Sequence, residues 1–121
     1  MVNDRLSYAI PKYQKFKIYI APQFQINIDN DNPISFTDIR LLRRIVRDQE
    51  TRGTSAEGTL AMWPSVRKGE FKWIYPYQEE SNFIFNSALT YELCVLKRHA
   101  LNNISKIPSN SPYYIQANRL I

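Results

Sequence analysis

Between Ser35 and Gly53 the chain sorts its apolar and basic residues onto different arcs of one helix, and this segment constrains the fold more tightly than any other. Ile39, Leu41, Leu42, Ile45 and Val46 recur at helical spacing and fill much of one side. Arg40, Arg43, Arg44 and Arg47 fall within about 100 degrees of one another around the axis. Ser35 is placed to cap the first turn, with Asp38 three residues on able to reach back as the second half of a capping box. Gly53, directly after Arg52, supplies the left-handed stop. An amphipathic helix of this kind must pack its apolar side inward, so four guanidinium groups project together.

The remaining elements follow from changes of period. Lys15 to Pro22 alternates and then turns apolar before a proline, which reads as a strand reaching a functional edge. Gln23 to Asp29 alternates again as a second extended stretch, and Asn30-Asp31-Asn32-Pro33 supplies a turn. Thr54-Ser55-Ala56-Glu57 is a second capping box, opening a shorter helix through Leu60 and Trp63 that Pro64 limits and Gly58 weakens. Ser65 to Glu80, with mixed charges, aromatics and Pro76, is expected as a mobile loop with at most a lone helical turn. Phe83-Ile84-Phe85 reads as a short buried strand. Thr90 to Ile104 carries Leu93, Leu96, Ala100, Leu101 and Ile104 at helical spacing, and Ser111-Pro112 is expected to open a last helix. Strands alternating with helices predict an α/β chain with some parallel pairing: a few short strands packed by about four helices.

Composition narrows the class. The 121 residues suffice for one domain with one modest core, and 44% hydrophobic content with only three glycines excludes a disordered or fibrous chain. The longest apolar stretches fall short of the ~20 residues that span a bilayer, and the start has no secretory pattern, so a soluble, cytoplasmic chain is expected without a membrane partner. Cys94 lies among apolar neighbours and is expected as a buried structural thiol. The single His99 reads as a residue that caps or solvates a helix end, so no metal site is assigned. Sixteen Lys and Arg against eleven Asp and Glu give a formal net charge of +5, which favours anionic partners without identifying nucleic acid.

The arginine face carries the chemistry. Asp48 and Glu50 are the only acids on nearby turns, so the cluster calls for either a solvent shell or an external anion. Arginine's planar fork grips phosphate oxygens in pairs, and several together hold a polyanion and stabilise charge developing during phosphoryl transfer. Arg52 and the pair Arg67-Lys68 can extend the surface. Two other classes compete. A basic helix, a turn at Arg52-Gly53-Thr54 and a second short helix imitate a helix-turn-helix, but Ser55 to Trp63 has no Arg, Lys, Asn or Gln with which to read bases. An oligomerisation piece is the other: Phe71, Trp73, Tyr75 and Tyr77 alternate and can pair across a subunit boundary, although ordinary packing explains them too.

The run Asp38-Ile39-Arg40-Leu41-Leu42-Arg43-Arg44-Ile45-Val46-Arg47-Asp48, followed by Arg52-Gly53, resembles the lid motif of uridine kinases. Trp63-Pro64-Ser65-Val66-Arg67, Pro76-Tyr77-Gln78-Glu79-Glu80 and Phe85-Asn86-Ser87-Ala88-Leu89 with Tyr91-Glu92-Leu93 are similar to the longer bacterial branch of the uridine kinase and phosphoribulokinase-like P-loop kinases. The likeness covers roughly residues 16 to 121. In that family a P-loop core transfers the γ-phosphate of ATP to a nucleoside hydroxyl while the arginine helix closes over the phosphates.

The resemblance therefore implies a partial P-loop-kinase layer in a single domain over 1–121: lid helices over about 35–63, the loop over 64–80, and a strand with C-terminal helices over 82–121. It implies Arg40, Arg43, Arg47 and, less directly, Arg52 as contacts to nucleotide or nucleoside phosphate groups, with Asp38 mainly a cap. Ser81-Asn82 and Gly58 depart from the family pattern. Gly53, Gly58 and Gly69 cannot form Gly-x-x-x-x-Gly-Lys-Ser/Thr, so the expectation is a portion of a longer ATP-dependent uridine or cytidine kinase, without catalytic residues and inactive alone. ATP and Mg2+ belong to the intact parent, with neither expected to bind this chain tightly. The remainder of the kinase domain is the implied partner, and a homodimer is compatible.

Overall fold

The computed structural model describes residues 7–23, 27, 30, 31 and 33–121. Two strands, β1 (Ile18–Ala21) and β2 (Phe83–Asn86), pair in parallel with Ile18 opposite Phe83 and Ala21 opposite Asn86. Parallel strands need a long crossover, and here it carries two helices, α1 (Phe36–Arg52) and α2 (Ala56–Trp73), before a 3-10 turn at Tyr75–Tyr77. After β2 come α3 (Glu92–Ile104) and the short α4 (Tyr114–Arg119). The α/β class with some parallel pairing and four helices is as the sequence predicts. Side-chain amides extend the ladder at both ends. Asn82 Oδ1 accepts from Lys17 N at 2.9 Å, and the Asn86 amide both accepts from Gln23 N at 2.8 Å and donates to Gln23 O at 3.0 Å.

Helix α1 begins and ends where its sequence signals lie. Ser35 Oγ accepts from Thr37 N at 3.3 Å, and Gly53 takes the left-handed conformation at φ 62°. The second half of the expected capping box is used differently: Asp38 receives Arg119 of α4 at 2.8 and 2.9 Å, tying the chain's last helix to the first turn of α1. Leu41, Ile45 and Val46 of α1 meet Ala56, Leu60 and Trp63 of α2 and Ala100 and Ile104 of α3 in one core, closed by Ile107 and Ala117.

Helix α2 departs furthest from the sequence reading. Ser55 caps it by accepting from Gly58 N at 3.2 Å, but the helix runs through Pro64 to Trp73, so the first half of the expected loop is helical. Proline removes one N–H from the ladder and crowds the preceding turn, at about 3 kcal/mol. Burial on either side outweighs this: Trp63 and Val66 pack on the core and Glu70 is buried, and full burial of each large apolar side chain is worth about 1.5–3 kcal/mol. The aromatics Phe71, Trp73, Tyr75 and Tyr77, expected in the loop, consequently divide between the last turn of α2 and the 3-10 turn.

Several smaller expectations change. Strand β2 forms but is exposed along its length, as are Ile18 and Ile20 of β1; only Tyr19 and Ala21 are half-buried. Cys94 is exposed, because α3 turns Ala100, Asn103 and Ile104 inward and leaves residue 94 on the outer face. His99 caps nothing, since α3 continues to Ile104; its Nδ1 lies 3.6 Å from Glu50 Oε1. The last helix starts at Tyr114, two residues beyond Pro112, while Ser111 accepts from Tyr113 N and donates to Glu57 at 2.6 Å. Most of the extended stretch expected over 23–29 lies outside the described residues; Asn27 and Pro33 form an isolated antiparallel bridge across the expected turn. Among the described residues, no helix is long and apolar enough to cross a membrane.

Candidate functional site: the arginine face of α1

Because Leu41, Ile45 and Val46 bind α1 to the core, its opposite arc is presented beside α2 and the end of β1. There Arg40, Arg43, Arg44 and Arg47 line a cavity of about 340 Å³ with Pro22, Trp63, Val66 and Glu70. The structure thus gathers three of the four expected phosphate contacts, Arg40, Arg43 and Arg47, around one space. Arg52, at the helix end, is not in its lining; it stands 3.5 Å from Asp48.

Each arginine is held by a carboxylate, and two of these acids come from distant sequence. Arg40 donates to Glu70 Oε1 through Nε at 3.0 Å and Nη2 at 2.5 Å. Arg43 grips both carboxylate oxygens of Glu92 and donates from Nη2 to Ser87 O at 3.0 Å. Arg47 donates to Asp48 Oδ1 at 3.1 and 2.8 Å. Arg44 Nε lies 3.3 Å from Asp48 Oδ2, near enough for charge attraction but outside hydrogen-bond alignment. Among the described residues both of these atoms are buried without a hydrogen bond. The expectation that only Asp48 and Glu50 stand near the cluster is therefore corrected: Glu70 and Glu92 are brought in by α2 and α3, and Glu50 faces His99.

Asp48 shows the electrostatic consequence. It is fully buried, and burial alone would raise its pKa. The hydrogen bond from Arg47 and the charges of Arg47, Arg44 and Arg52 outweigh that and hold the carboxyl below its ordinary range. Arg67 joins the far side of the site, donating to Glu70 Oε2 at 2.6 Å and to Tyr75 Oη at 2.8 Å. Burial would lower its pKa, but the bonds to Tyr75 and Glu70 raise it above the usual guanidinium value. Among the described residues, six guanidinium groups, from Arg40, Arg43, Arg44, Arg47, Arg52 and Arg67, thus share three carboxylates, Glu70, Glu92 and Asp48. The positive excess around the cavity suits an anion with several oxygens. Among the described residues, no three His, Cys, Asp or Glu side chains converge into a group that could hold a metal ion.

The site also contains residues that sequence periodicity does not single out. Glu70 belongs to a segment whose mixed charges and aromatics read as loop, and Trp63 reads by periodicity as the end of a short helix and otherwise only through the Trp63-Pro64-Ser65-Val66-Arg67 likeness. Glu92 is visible only within the Tyr91-Glu92-Leu93 likeness.

A two-stranded parallel sheet packed by helices, with an arginine-lined cavity beside Pro22 at the end of β1, is consistent with a partial P-loop-kinase layer. The family model of the phosphoribulokinase / uridine kinase family matches residues 10–93, and the chain belongs to that family. Comparison with curated proteins and with solved structures gives no match.

Proposed function

We propose that this chain supplies the phosphate-gripping arginine lid of an ATP-dependent nucleoside kinase, of the bacterial uridine and cytidine kinase type, and does not transfer phosphate alone. The observation that carries this reading is the excess of guanidinium groups over carboxylates around the 340 Å³ cavity. A phosphate group entering there would meet Arg47 first. Its side chain is about half exposed, whereas those of Arg40 and Arg43 are held by Glu70 and Glu92 and present their remaining N–H groups. Arg52 would contact the outer oxygens of a longer polyphosphate. In phosphoryl transfer such groups position the reacting phosphate and stabilise charge on its equatorial oxygens.

The family's phosphate cradle has no counterpart among the chain's three glycines, so ATP's β- and γ-phosphates would be held jointly with the remainder of the kinase domain. Magnesium belongs to that remainder in this reading. The setting is cytoplasmic, where ATP is the donor, and the exposed faces of β1 and β2 are compatible with a kinase core or a second copy of the chain.

Calorimetric titration with pyrophosphate, ATP and UMP at low and high salt tests the reading, with Arg47→Ala in parallel and duplex DNA as a control. Weak, salt-sensitive binding of the phosphates that Arg47→Ala removes is the expected result. Absence of phosphate binding, or tighter binding to duplex DNA than to pyrophosphate, would overturn it.

A further inference from the structure

Glu70 is 2% exposed, and four donor contacts converge on its two oxygens. Oε1 takes Nε and Nη2 of Arg40, while Oε2 takes Arg67 Nη1 at 2.6 Å and Tyr75 Oη at 3.3 Å. The guanidinium of Arg67 also stands 4.9 Å from the ring centroid of Phe71 and 5.8 Å from that of Tyr75, so one of the cations held by Glu70 also faces two rings. Arg40 lines the arginine cavity, a second of about 460 Å³ that Tyr19, Phe36, Tyr75 and Gln78 also line, and a third of about 300 Å³ that it shares with Glu70. Glu70 thus touches the wall that the first two share and, through Tyr75, a wall of the second.

A buried carboxylate at the edge of an anion site is at first sight unfavourable. It repels phosphate, and helix packing alone is served as well by an apolar residue of similar volume. What an apolar residue cannot do is accept two N–H donors of one guanidinium, as Glu70 Oε1 does from Arg40 Nε and Nη2, while its other oxygen accepts from Arg67 and Tyr75. We infer that Glu70 is a positioning residue of this site: it fixes the Arg40 fork across the boundary between the first two cavities and sets the Tyr75 wall by the same carboxylate. The inference rests on the phosphate-gripping reading for its functional consequence, but the geometry it asserts has a readout of its own.

The sign of one substitution separates positioning from mere neutralisation. Glu70→Gln keeps the volume and removes a negative charge beside the cavity, so if Glu70 only offsets arginine charge, pyrophosphate should bind more tightly. If Glu70 positions Arg40, pyrophosphate should bind more weakly, by about fivefold, despite the added net positive charge. The second measurement is nitrogen-15 NMR of the arginine Nε–H groups, with Arg40 assigned through Arg40→Lys and Arg52, which faces Asp48 through Nη1 at 3.5 Å, as reference. Arg40 Nε–H should exchange with water more slowly than that of Arg52 in the wild type, and lose this protection in Glu70→Gln.

Equal or tighter pyrophosphate binding by a folded Glu70→Gln overturns the inference. So does an Arg40 Nε–H as fast as that of Arg52 in the wild type. Should Glu70→Gln fail to fold, Tyr75→Phe carries the test, because it removes one donor to Glu70 and keeps the charge. Faster Arg40 exchange supports the inference there, and an unchanged rate overturns it. If the wild type binds no pyrophosphate, the functional reading falls and the exchange measurement still decides whether Glu70 positions Arg40.

Discussion

Arg43 and Glu92, 49 positions apart, meet fork to carboxylate: Nε and Nη2 each donate to one oxygen, and Nη2 also donates to the Ser87 carbonyl. The pair joins α1 to the start of α3 and to the chain leaving β2, so it acts on the fold as well as on the site. Removing either partner leaves a charge in a partly buried position. Arg43→Ala and Glu92→Ala are each expected to lower unfolding free energy by about 1–3 kcal/mol, and the double variant to cost less than their sum. A urea-denaturation cycle measures this; additive costs would mean the two groups do not interact.

Arg47 is the cleaner functional probe. Its carboxylate partner keeps two other arginines, Arg44 and Arg52, when it is lost. Arg47→Ala takes two hydrogen bonds from buried Asp48 and should cost about 1–3 kcal/mol of stability while weakening pyrophosphate binding roughly fivefold to tenfold. Paired melting and titration experiments check both numbers.

Asp48 predicts a specific dependence on pH. Its folded pKa lies below the ordinary value, so the unfolded chain binds its proton more readily than the folded one does. The stability it contributes is therefore complete above about pH 4 and is lost as pH falls through that range toward the depressed folded value. Asp48→Asn should be less stable than wild type at neutral pH, with the two curves converging on acidification. Stability measured against pH from neutral to acid tests this, and a constant gap down to the lowest pH would contradict it.

Pro64 lies exposed within α2 with helix on both sides. Pro64→Ala restores the missing N–H donor toward the Leu60 carbonyl and relieves crowding of the preceding turn. A gain of about 1–3 kcal/mol is expected, less whatever the proline contributes by stiffening the unfolded chain. Thermal unfolding followed by circular dichroism measures it, and a loss of helix signal would show that the proline shapes α2 favourably.

Local chemistry makes α1 legible in the amino-acid sequence. The Ser35 cap, the apolar spacing from Ile39 to Val46 and the Gly53 stop act within a few residues of one another, so their outcome depends little on the rest of the chain. The same holds for the clustering of Arg40, Arg43, Arg44 and Arg47 on one arc, and for α3. The course of α2 is not legible in the same way, because Pro64 is a local stop signal and what overrides it is burial of Trp63, Val66 and Glu70 against elements far away in sequence.

The periodicity of the chain thus dictates that α1 and α3 are helices and that one of them carries a basic face. Which carboxylates answer that face is decided only in three dimensions. Glu70 and Glu92 stand 30 residues from Arg40 and 49 from Arg43 respectively, and only the packing of α2 and α3 against α1 brings them within hydrogen-bonding range. Charge attraction between exposed side chains fades over roughly 10 Å in salt, and sequence spacing contains no record of that distance once the chain folds back on its own core.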